Sequence, residues 1–179
     1  KNKYNDFISN FLGKNPGKIV DENGTILGDH EGLMYFTLGQ RQGIGLGGIK
    51  GKEQDSWYVA HKDLASNELT VIQGNENKLL LSEGCYVDDI HWINERPDSE
   101  FECDVQIRYK SLPVRSRVKK LATGYKISFT KPQLAVTPGQ SAVIYDGDEC
   151  LGGSVIRERI SQDFYNWATN RGYNYKVYG

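Results

Sequence analysis

Of 179 residues only three are cysteine, three histidine, five proline and one methionine, and each shortage removes a class of protein. Cys85, Cys103 and Cys150 are an odd number with no CxxC pair, which argues against a disulfide framework or a zinc site and fits a reducing compartment. His30, His61 and His91 are widely spaced, with no HxH or HExxH pattern to hold a metal. No apolar run approaches the roughly 18 residues of a membrane-spanning helix, so no membrane association is expected. Neither charge sign dominates: Lys+Arg number 22 and Asp+Glu 23, so a nucleic-acid partner must be met by a local patch. The chain begins at Lys1, its single methionine is Met34, and it has no apolar leader; it reads as a cytoplasmic piece of something longer.

Glycine is plentiful, at 20 residues, and aromatics reach 11%, a turn-rich globular composition. Tyr4, Phe7, Ile8, Phe11 and Leu12 form one helical stripe, stopped by Gly13 and Pro16. A hairpin follows, Lys18–Val20 and Thr25–Leu27 about a turn at Asp21–Gly24; the Asn23-Gly24-Thr25 sequon belongs to that turn. Gly39, Gly43, Gly45, Gly47, Gly48 and Gly51 then crowd one stretch, whose backbone entropy cost suggests a loop that must approach something closely. Trp57–His61 and Leu69–Gln73 read as strands, and polar Asn75–Lys78 as a boundary. Beyond it, β-like runs recur at Cys85–Ile93, Phe101–Tyr109, Val114–Lys120, Tyr125–Thr130, Leu134–Val136, Ser141–Tyr145 and Cys150–Ile156. Strands at that spacing with no helix between them predict a small closed β-barrel. Ile160, Phe164, Trp167 and Ala168 return to helical spacing, ended by Gly172. The expected organisation is therefore a small α+β or β domain over 1–77, a barrel over 78–157 and a helical tail over 158–179.

Gly43–Gly48 satisfies GxGxxG literally, but charged loop and strand follow it, leaving no helix N-terminus for a pyrophosphate. A P-loop fails as well, because Glu53 follows Gly51-Lys52 and Leu46 holds the first glycine position. Gln40 and Arg41 beside these glycines offer forked donors to a polar partner, or simply cap a structural loop. The strongest signal lies in Arg108–Lys120, where Arg108, Lys110, Arg115, Arg117, Lys119 and Lys120 occur without one acidic residue. Strand alternation puts Arg115, Arg117 and Lys119 on one face, either a phosphate-binding surface or a solvated sheet face. Tyr109 adds a stacking surface, and it can share a ligand with Arg108 only at a strand end or bulge. No nucleophile–base set emerges, and Cys85 and Cys103 read as buried small hydrophobes.

Several stretches in order resemble the C-terminal part of the bacterial tRNA-specific 2-thiouridylase family. They are Pro16–Asp21, Gly28–Tyr35, Thr37–Gly43, Ile107–Lys110, Ala135–Val143 and Cys150–Gly153. The resemblance covers about residues 1–157 and implies a parent enzyme with an N-terminal PP-loop domain, a central domain and a β-barrel like those of translation factors. That parent uses ATP, with magnesium, to adenylate the wobble uridine of tRNA, and persulfide sulfur from a donor protein then displaces AMP. The resemblance places the ATP site and both catalytic cysteines outside this chain, so no catalytic residue and no cofactor are expected here. It implies tRNA contacts at Arg108, Tyr109 and Gln140, and assigns no role to the Gly39-Gln40-Arg41 loop. Val114, Ser154 and Lys110 depart from the usual pattern, and the segment from Arg157 onward lies outside it.

The expected fold is thus mainly β, and the expected role is tRNA holding within a sulfurtransferase. A stand-alone RNA-binding barrel is the rival. A third reading makes Phe164, Tyr165 and Trp167 a protein-docking tail, against the plainer alternative of a helix covering the barrel's apolar edge.

Overall fold

The computed structural model describes residues 13–46, 55–95, 98–109 and 111–173. The stripe at Tyr4–Leu12, the glycines Gly47, Gly48 and Gly51, and Lys110 lie outside them. The chain divides into two compact units, Lys1–Asn77 and Lys78–Gly179.

In the first unit, β1 (Gly17–Val20), β2 (Ile26–His30), β3 (Trp57–Asp63) and β4 (Glu68–Gln73) form one sheet in the order β2-β1-β4-β3. The β1–β2 connection folds as the sequence predicts, for a visible reason: the buried Asp21 carboxylate accepts from the backbone N–H groups of Asn23 and Thr25 at 3.0 and 2.8 Å. Ile19, Val59, Leu69 and Val71 point into a core completed by Leu33, Phe36 and Ile44 from the long connection between β2 and β3. Lys62 pins that connection by donating to the Phe36 carbonyl at 2.9 Å, and desolvation lowers its ammonium pKa.

In the second unit, β5 (Leu81–Val87), β7 (Glu100–Gln106), β8 (Val114–Lys120), β9 (Tyr125–Leu134), β10 (Ser141–Asp146) and β11 (Glu149–Ile160) close a barrel. The order is β10-β7-β8-β9-β5-β11, and β11 returns to pair with β10, so no ladder edge is left on these six strands. The short β6 (His91–Trp92) adds to β11. Inward residues such as Cys85, Val105, Val118, Ile127, Ile144 and Ile156 fill the interior. Gly84 sits where the β5–β9 register shifts, and a Cβ there would come within 2.2 Å of the Ile127 carbonyl oxygen.

Several strand limits differ from those the periodicity predicts; β5, for one, begins at Leu81 and not at Cys85. The run Cys85–Ile93 is broken between Val87 and His91. The run Phe101–Tyr109 ends at Gln106, because the Gln106 side-chain amide donates to the Ser111 carbonyl and the Ser111 amide and hydroxyl both donate to the Arg108 carbonyl. Leu134 closes β9 instead of opening a new strand, since Ala135 turns into the left-handed region at φ 51°. Finally, β11 runs through Ile160, four residues past its expected end, and leads into α1 (Gln162–Asn170), capped by the Ser161 hydroxyl. Phe164 and Tyr165 are buried, which fits a helix covering the barrel and leaves those two rings no outward face for docking.

Candidate nucleic-acid interface

Arg108 and Tyr109 lie just past the end of β7, one of the two situations in which such neighbours can serve one ligand. The turn that carries them is clamped at both ends by the Gln106 and Ser111 hydrogen bonds. Arg108 is half-buried, its Nη2 donates to the Ala135 carbonyl at 2.9 Å, and desolvation lowers its pKa. Tyr109 extends outward, 91% exposed, with Leu112 at 88% beyond it.

The same Ala135 carbonyl accepts from the Thr137 hydroxyl at 2.9 Å, which starts the turn Thr137-Pro138-Gly139-Gln140. Gln140 N–H donates to the Thr137 carbonyl at 3.2 Å and Ile156 N–H donates to the Gln140 carbonyl at 2.7 Å, so the turn is sewn onto β11. Gly139 adopts φ +88°, a conformation that disfavours other residues at this position. The Gln140 Oε1 is buried with no hydrogen-bond partner among the described residues. One backbone carbonyl therefore ties Arg108 to the turn that carries Gln140, although 32 residues separate them in sequence.

Arg115, Arg117 and Lys119 do share the exposed face of β8, with Ser116 and Val118 inward. The neighbouring strand neutralises them. In register, Asp104 faces Arg115, Glu102 faces Arg117 and Glu100 faces Lys119. Glu102 lies 3.3 Å from Arg115 and 3.4 Å from Arg117, and Glu100 lies 3.6 Å from both Arg117 and Lys119. The absence of acids between 108 and 120 is true of the sequence but not of the surface. The signal was available in the alternation of Glu100, Glu102 and Asp104 one strand earlier.

Gln40 is absorbed locally. Its side chain accepts from Thr37 N–H at 3.0 Å and donates to the Gln42 carbonyl at 2.9 Å, while its backbone carbonyl accepts from Val59 N–H at 3.0 Å. The glycine-rich loop, as far as it is described, thus approaches its own strand β3. Arg41 is exposed beside it. Burial pushes the Cys85 and Cys103 thiols up to about 12, out of reach as nucleophiles at neutral pH. Among the described residues no three His, Cys, Asp or Glu side chains cluster to hold a metal, and no helix is long and apolar enough to cross a membrane.

Two small β units, the second a closed barrel with a polar corner at Arg108 and Gln140, match two family models. Residues 5–73 match the tRNA methyl transferase PRC-barrel domain, and residues 82–156 the aminomethyltransferase β-barrel domain. Both models are of domains named after transferases. The chain is 45% identical over 160 residues to the tRNA-specific 2-thiouridylase MnmA of Actinobacillus succinogenes, covering 88% of this chain and 41% of the relative. It is also 45% identical to the proteins of that name from Vibrio cholerae and Histophilus somni, again over 88% of this chain and over 43% and 42% of theirs. The chain belongs to the tRNA-specific 2-thiouridylase family, as a counterpart of its C-terminal portion. It spans about two fifths of the length of the curated relatives it matches.

Proposed function

We propose that this chain holds and orients tRNA for a sulfurtransferase that makes 2-thiouridine at the wobble position. ATP with magnesium and persulfide sulfur serve the parent reaction, adenylating the uridine 2-oxygen and then displacing AMP, in the cytoplasm. Neither the ATP site nor the sulfur-carrying cysteines are assigned to this chain, so the chain alone is expected to be inactive. Its contribution is orientation, which a two-substrate reaction needs as much as it needs reactive groups.

The observation that carries this reading is the corner built on the Ala135 carbonyl. A guanidinium fixed there by a backbone acceptor and partly removed from water is held ready for a phosphate, because its ordering cost is met in the fold. Tyr109 on the same clamped turn offers an exposed ring to an unstacked base. Gln140 offers an amide from the turn whose Thr137 shares the Ala135 carbonyl with Arg108. The β8 cations, being paired, are assigned to the sheet and not to RNA.

The test is fluorescence anisotropy of labelled wobble-uridine tRNA titrated with the chain at several salt concentrations. Saturable binding that weakens with salt, and weakens about tenfold in Arg108→Ala, is expected. Absence of binding at low salt would remove the holding role. Binding with no turnover dependence in a parent lacking this portion would favour the stand-alone RNA-binding barrel instead.

A further inference from the structure

Residues after Ile156 fall outside both family models, yet they carry one of the most buried charges in the chain. Arg159 is 2% exposed, on a part of β11 that pairs with β5 through Glu158–Tyr86, Arg159–Cys85 and Ile160–Gly84. Its guanidinium lies 3.8 Å from the centroid of the Phe164 ring on α1 and donates through Nη1 to the Leu79 carbonyl at 3.0 Å. Tyr165 joins the group, its hydroxyl within hydrogen-bonding reach of both the Arg159 carbonyl and the Glu158 carboxyl group. Leu79 and Leu80 belong to the 3-10 turn Lys78–Leu80 that opens the second unit, and α1 packs against that turn.

The next peptide carries the connection onward. The Leu80 carbonyl accepts from Ala135 N–H at 2.7 Å, and the Ala135 carbonyl accepts from Arg108. Ala135 sits in the left-handed region at φ 51°, a conformation that costs a non-glycine residue about 1–2 kcal/mol unless its surroundings hold it. What holds it is bonding on each side of the residue, its N–H to Leu80 and its carbonyl to Arg108 and the Thr137 hydroxyl. A continuous chain of contacts runs Phe164, Arg159, Leu79-Leu80, Ala135, Arg108.

We propose that the C-terminal segment Glu158–Asn170 positions Arg108 for RNA phosphate: Arg159 is a positioning residue that fixes the Leu79–Leu80 backbone, on which the Ala135 turn and hence the Arg108 guanidinium depend. The inference rests on the tRNA-holding reading for its ligand, but its structural half stands without it. A residue that merely stabilised the barrel would affect every surface alike, whereas this chain of contacts ends at the Ala135 carbonyl, on the Arg108 guanidinium and the Thr137 hydroxyl.

The experiment is a double-mutant cycle on the whole chain, with Arg159→Met and Arg108→Ala, reading tRNA affinity together with amide exchange. Arg159→Met keeps the apolar stem and removes the donor. Expected are faster exchange at Ala135 by about two- to tenfold, the range one hydrogen bond commands, with Val118 and Ile127 still protected. Affinity for tRNA should fall by a similar factor, and should fall no further when Arg108→Ala is already present. Equal losses in both backgrounds, or unchanged exchange at Ala135, would overturn the proposal. Should Arg159→Met expose the core amides, Phe164→Leu, which removes the ring that holds the Arg159 guanidinium, is measured instead, with smaller losses at the same positions expected and the same outcomes fatal. If the unaltered chain binds no tRNA, the holding role fails, and the Arg108 Nε–H resonance then judges the positioning claim alone: a shift in Arg159→Met upholds it, and its constancy refutes it.

Discussion

Substituting Glu102 by glutamine separates the ion-pair ladder from the proposed RNA-binding corner. Its carboxylate is shared, at 3.3 Å from Arg115 and 3.4 Å from Arg117, while each arginine keeps one further acid, Asp104 or Glu100. All these side chains are a third to three fifths exposed, so water screens them and each pair is worth about 0.2–1 kcal/mol. Losing two pairs should therefore cost about 0.4–2 kcal/mol in urea unfolding at low salt, and most of that difference should vanish near 1 M salt, where the screening length is about 3 Å. The RNA readout runs the other way. Removing one anion uncovers a net positive charge beside the barrel, so tRNA affinity should rise at low salt and the salt dependence should steepen by about 0.7–0.9 in log–log slope. Arg117→Ala uncovers one net negative charge and should lower tRNA affinity by a similarly modest factor, well short of the tenfold loss expected of Arg108→Ala. A tenfold loss in Arg117→Ala, with no gain in Glu102→Gln, would refute the neutralised ladder.

Other outcomes follow from burial and backbone. His30 is buried, with Nε2 at 3.2 Å from the Asn67 carbonyl and no partner for Nδ1 among the described residues, and desolvation lowers its pKa below the usual 6.5. The fold thus favours the neutral ring: its stabilising contribution is full above about pH 6.5 and is lost as pH falls through the lowered value. Urea midpoints of the chain and of His30→Gln should therefore diverge in the upper range and converge on acidification. Under native conditions at pH 8 a thiol reagent should modify Cys150 alone, and all three cysteines only after unfolding, because burial raises Cys85 and Cys103 to about 12. Gly139→Ala should cost only the backbone term, about 1–2 kcal/mol, since no atom lies within 4 Å of the added Cβ. Gly124→Ala should cost distinctly more, because its Cβ would also meet the Val87 carbonyl at 2.2 Å; thermal unfolding ranks the two.

Much of the barrel is legible in the sequence because its strands are half-buried and alternate, as Val114–Lys120 does with Ser116 and Val118 inward. The hairpin at Asp21 is legible because its turn chemistry is local. What periodicity misses are the places where a side chain bonds to distant backbone. Gln106 and Ser111 end β7 early, so Arg108 and Tyr109 sit on a turn, and no alternation reports that. Ala135 looks like a strand residue and is a left-handed corner whose bonds reach Leu80 and Arg108. Arg159 shows the limit most plainly: the sequence places it in a helical tail, and only the fold puts it in β11 with Leu79 and Phe164 as its surroundings. The corner's separate residues could be named from a resemblance, but their common attachment to one carbonyl could not.

The corner at Arg108, Tyr109 and Gln140 is, in this reading, where tRNA is held. The most direct test is to titrate the isotope-labelled chain with an unmodified wobble-uridine tRNA and follow every backbone amide. Shifts should concentrate at residues 107–112 and 135–140, with the β8 ladder at Arg115–Lys119 nearly silent. Shifts centred on that ladder, with the corner unmoved, would contradict it.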